Sequence, residues 1–88
     1  MNSLQQNIIK LLKQRLMTIQ MQNYKINVYD VENIQNTCNI LLDGINKLTK
    51  PEDIKAFARR NINRLRLVYV RNPAGKSLFN KISKEINS

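Results

Sequence analysis

The 88-residue sequence predicts an all-α domain. Three observations carry that expectation. Apolar residues recur at helical spacing in three long stretches. Residues that start helices stand just ahead of those stretches. Glycine and proline number two each, which leaves little material for the tight turns of an all-β chain. The length suits one small basic helical domain, 1–88, and an apolar share of 42% is enough to build a core.

Residues 3–22 read as an amphipathic helix. Leu4, Ile8, Leu11, Leu12, Leu16 and Ile19 fall on one side, and Gln6, Lys10, Lys13 and Gln14 on the other. Ser3 is the expected N-cap. Residues 24–30 alternate in polarity and read as a short strand or an extended linker. Asp30 is the expected cap of a second helix, 31–48, whose stripe is Val31, Ile34, Cys38, Leu41, Ile45 and Leu48. Gly44 inside that helix marks either close packing or a break. Thr49 and Glu52 have the spacing of a capping box, with Pro51 in the first turn. The third helix follows, with Ile54, Phe57, Ala58, Ile62, Leu65, Val68 and Tyr69 as its apolar face. Residues 65–71 are rich in β-formers, so a short strand there, pairing with 24–30, is an alternative. Asn72-Pro73-Ala74-Gly75 reads as a turn, after which Ser77 caps a short last helix in which Leu78 and Ile82 are expected to pack, with Phe79 and Ile86 as further candidates, while Lys81 and Lys84 stay out.

Charge separates along the chain. The net charge is +9. Lys55, Arg59, Arg60, Arg64, Arg66, Arg71, Lys76, Lys81 and Lys84 lie between Ile54 and Lys84, a span with no acid. Such a one-sign field repels itself unless a polyanion neutralises it. Arginine suits phosphate because its planar fork donates two parallel hydrogen bonds and stays charged. These nine residues are the expected RNA-binding set. Lys55, Arg59 and Arg66 flank the apolar face of the third helix on one side, and Arg60, Arg64 and Arg71 on the other. Tyr24, Tyr29 and Tyr69 are few for base stacking, so phosphate and shape recognition is favoured over readout of splayed bases.

Catalysis is not expected. The chain has no histidine, which removes the commonest general base and metal ligand. The carboxylates form no catalytic pair, and Glu52 and Asp53 suit a helix start. Cys38 stands alone and reads as a small core residue. Gly75-Lys76-Ser77 has the ending of a phosphate-binding loop, but Val70 stands where that motif requires its first glycine. No cofactor, small-molecule substrate, metal or membrane span is expected.

The run Arg59-Arg60-Asn61-Ile62-Asn63-Arg64-Leu65 resembles the second-helix pattern of the uL29 family of large-subunit ribosomal proteins, usually Arg-Arg-x-Ile-Ala-Arg-Ile. Asn63 stands in place of the usual alanine. Leu16-Met17-Thr18-Ile19-Gln20-Met21-Gln22 is similar to the family's first-helix pattern, with Gln20 in place of arginine. The resemblance implies an antiparallel helical hairpin, 3–22 with 51–70, carrying an inserted helix and a short C-terminal helix. It implies that Arg59, Arg60 and Arg64 face ribosomal RNA and that Ile62 and Leu65 face the first helix. The family joins its helices by a short loop, whereas 23–49 intervene here and are expected to form an appendage covered by the C-terminal helix.

The expected function is structural RNA binding in a ribosome, beside neighbouring ribosomal proteins. Asparagine, isoleucine and lysine make up 33 residues, and their A/T-rich codons point to an AT-rich organelle such as the mitochondrion, or an AT-rich microbe. The alternatives are a small phage-type protein that binds a host or virion protein through its basic helix face, and a sequence-tolerant DNA-binding protein.

Overall fold

The structure, a computed structural model, describes residues 2–22 and 28–88, with side chains described for 2–19 and 31–88. These residues form four helices: α1 (Ser3–Gln22), α2 (Val28–Asn46), α3 (Pro51–Val68) and α4 (Pro73–Asn87). The domain is all-α, as the periodicity predicts. The expected strand at 24–30 does not form over 28–30, which are the first turn of α2; residues 24–27 lie outside the described part. Nor is there a strand at 65–71. The helix runs on to Val68 because Leu65 and Val68 fill the core, and packing overrides β-propensity.

The caps differ from expectation. Asn2, not Ser3, caps α1: its Oδ1 accepts from the Gln5 amide at 3.2 Å. Asp30 lies inside α2 rather than ahead of it. Lys50 holds the cap position of α3 without a side-chain bond, so the Thr49–Glu52 box is not made. Asn72 caps α4 by accepting from the Gly75 amide at 2.8 Å. Pro73 is then the first helical residue, where a ring that fixes φ and lacks an N–H is well placed. The expected turn is therefore a helix start, and Ser77 lies inside the helix.

Short connections make consecutive helices antiparallel neighbours. Gln5 Nε2 on the first turn of α1 donates to the Ile45 and Leu48 carbonyls at the end of α2, both at 2.9 Å. Ser3 Oγ donates to Glu85 near the end of α4. Lys55 Nζ near the start of α3 reaches the Ser88 carbonyl. The starts of α1 and α3 thus share one end with the ends of α2 and α4. The hairpins are α1 with α2 and α3 with α4, rather than 3–22 with 51–70.

α1 and α3 each contact all three other helices, whereas among the described residues no backbone contact joins α2 to α4. One core joins Leu4, Ile8, Leu11 and Leu12 of α1 to Cys38, Leu41 and Ile45 of α2. Ile54, Phe57, Ala58, Leu65 and Val68 of α3 and Leu78, Ile82 and Ile86 of α4 complete it. The segment expected as an appendage is therefore a quarter of the bundle. Its stripe is covered by α1 and α3 and not by the C-terminal helix. Ile62 also differs from expectation: it is half-buried and lines a groove with Ser83 and Ile86 of α4, while Leu65 is fully buried.

Candidate nucleic-acid interface

The buried side of α3 fixes where its cations go. Ile54, Phe57, Ala58, Asn61, Leu65 and Val68 turn inward. Lys55, Arg59 and Arg66 then emerge on the shoulder next to α4, since positions four and seven apart share a helix face. Arg59 and Arg66 line a groove of about 430 Å³ with Ile62, Ser83, Ile86 and Asn87. Two of these cations also serve the fold. Lys55 Nζ donates to the Ser88 carbonyl at 2.7 Å, and Arg59 Nη2 to the Ile86 carbonyl at 3.1 Å. Both supply positive charge and donors to the carbonyl end of α4.

Arg71 joins this shoulder and not that of Arg60 and Arg64. The helix stops at Tyr69, and the chain beyond it turns back. Arg71 Nη2 donates to the Arg66 carbonyl at 3.0 Å, and its Nη1 to the Tyr69 hydroxyl at 3.1 Å. On α4, exposed Lys76 stands two helical turns before Ser83 and so shares the groove side. The fold thus gathers Lys55, Arg59, Arg66, Arg71 and Lys76 over the α3–α4 seam.

Four of the nine expected residues lie elsewhere. Exposed Arg60 and Arg64 sit on the opposite shoulder of α3, where Arg64 lines a groove of about 330 Å³ with Asn33, Ile34, Thr37, Leu67 and Val68. Arg64 Nη1 donates to Asn61 Oδ1 at 3.4 Å. Lys81 is one turn before Glu85, on the side of α4 that meets α1, and exposed Lys84, three residues after Lys81, stands on the solvent-facing back of α4.

Phe79 is a member of the site that spacing did not indicate. Its ring stacks on Tyr69, with centroids 4.7 Å apart and planes 14° apart. Arg71 Cζ lies 4.8 Å from the Tyr69 centroid, and Arg66 Cζ 5.7 Å from that of Phe79. Ten residues separate the two rings in sequence, and only the α3–α4 turn brings them together.

These features define a small basic four-helix protein with a cation-lined seam. Comparison with protein-family models, with curated proteins and with solved structures finds no match in any of the three. Among the described residues, no helix is long and apolar enough to cross a membrane.

Proposed function

We propose that the protein binds the phosphate backbone of structured RNA, as a non-catalytic component of a ribonucleoprotein. The reading rests on one observation: five cations gather over the α3–α4 seam, and no acid stands between Ile54 and Lys84. Arg66, Arg71 and Lys76 give that seam fork-shaped and point-like donors suited to phosphate oxygens. Ribosomal RNA is the ligand to which the short resemblance at 59–65 points, with a ribosome, organellar or microbial, as its setting. Binding of an RNA hairpin tests the reading through its salt dependence. Five or so neutralised phosphates give a fall in log K of about 4–5 per log unit of salt. A flat response refutes it.

A second reading has its own observation. Leu67 is 73% exposed and Ile40 64% exposed, and Leu67 lines the α2–α3 groove beside Arg64. An acidic protein surface with apolar residues suits that shoulder. Selective loss of a protein partner on Leu67→Glu, with RNA binding retained, would assign the two shoulders to two partners.

A further inference from the structure

We propose that the Tyr69–Phe79 pair is a seat for one unpaired purine base of the RNA. This rests on the RNA reading above and adds the base contact which that reading lacks. Both rings are half-buried at the margin of the core, not within it. They are already parallel, so the platform exists before any ligand arrives. Every base has a π-face, and bases stack on aromatic rings and on guanidinium planes alike.

Arg71 occupies the place that such a base would take. Its side chain is exposed, and two hydrogen bonds hold it there, one to the Tyr69 hydroxyl and one to the Arg66 carbonyl. Phe79 takes one face of Tyr69, and the cation covers the ring from outside. A base entering over Tyr69 displaces the guanidinium toward the phosphates that flank that base. A cation–ring contact is exchanged for a cation–phosphate contact, and a base–ring contact is gained. Arg66, Arg59 and Lys76 remain along the seam to hold neighbouring phosphates. The base must be unpaired, because a paired base has both faces covered by its neighbours in the helix. A purine offers the larger face.

The test compares the full chain on a short RNA duplex and on the same duplex carrying one unpaired adenosine. The wild type binds the bulged RNA about tenfold more tightly. Tyr69→Phe keeps that preference. Tyr69→Leu keeps duplex binding and loses the preference. Equal binding of the two RNAs by the wild type, or a preference retained in Tyr69→Leu, overturns the seat and leaves phosphate binding standing. Failure to bind either RNA overturns both readings. Should Tyr69→Leu not fold, the Tyr69 ring protons of the wild type give the answer. They move upfield with the bulged RNA and not with the duplex, and no shift with the bulged RNA refutes the proposal.

Discussion

Gly44 presents its bare backbone to the ring of Phe57. A Cβ built on Gly44 would lie 2.8 Å from Phe57 Cε2 and 3.3 Å from Cζ. The glycine is thus a packing device between α2 and α3, and the helix continues through it. Gly44→Ala gains up to ~1 kcal/mol of helix propensity but forces a ring fixed in the core to move, which costs about 1–3 kcal/mol. The net expectation is a loss of about 1–2 kcal/mol in urea unfolding. Adding Phe57→Leu should make the same alanine neutral or better. A stabilised single variant would mean that the two helices stand further apart.

Gly75 is constrained more severely. A Cβ there would overlap the carbonyl oxygen of Val70, a backbone atom that no rotamer change can remove. Gly75→Ala should therefore cost about 2–4 kcal/mol, more than Gly44→Ala. Calorimetry on the two variants side by side checks the order.

Gln5 is a buried polar residue whose two bonds to Ile45 and Leu48 fasten the start of α1 to the end of α2. Gln5→Leu keeps the volume but removes that donor, so the Leu48 carbonyl loses this partner and the Ile45 carbonyl keeps only the 3.3 Å bond from the Leu48 amide. A loss of about 1–3 kcal/mol is expected, the cost of about one orphaned group. Gln5→Glu should be worse than Gln5→Leu at neutral pH, because it buries an uncompensated negative charge against two carbonyl oxygens. The comparison of the two by thermal melting is the check.

Burial pushes the Cys38 thiol from its ordinary 9.0 up to about 11, while the nearby Arg15 guanidinium pulls the other way. The thiol therefore holds its proton in the folded state over a range where the unfolded chain releases it. Between pH 9 and 11 the unfolded state binds fewer protons, so this group's contribution to stability falls as pH rises through that window. Below pH 9 it contributes no slope. Cys38→Ala should flatten the alkaline limb of the stability–pH curve relative to wild type. Parallel limbs would show that the thiol is not sequestered.

The two shoulders of α3 should separate in salt titrations. Lys76→Ala removes an exposed cation at the seam and should lower the slope of log K for RNA by about 1 without changing the circular dichroism. Arg60→Ala, on the far shoulder, should leave the slope near its wild-type value. A slope that responds to Arg60 and not to Lys76 would move the RNA to the α2 side.

Helical spacing alone located α1 at its full bounds and chose most of the core, because the stripe of Leu4, Ile8, Leu11 and Leu12 has one periodic solution. Ends were harder to read. Asn-Pro-Ala-Gly has the composition of a turn, yet Asn72 as a cap and Pro73 at the first helical position make it a start. Gly75 is required by contact with Val70, which no local pattern reveals. Buried Gln5 and Asn61 were missed because their partners are backbone carbonyls, and carbonyls have no sequence signature. The basic side of α3 was legible in its arginines. Its division between two shoulders depended on where the helix stopped, and Arg71 crossed over for that reason.

Because the described residues of α2 and α4 share no backbone contact, the bundle is linked through α1 and α3. Either outer helix can therefore open without carrying the other with it, and an opening of α4 is read as deuterium exchange of its backbone amides. That excursion takes Phe79 from Tyr69 and pulls the carbonyl end of α4 off Lys55 and Arg59. A polyanion lying across α3 and α4 acts as a clasp on that arm, and its arrival would be recorded as slowed exchange in α4 with α2 unchanged.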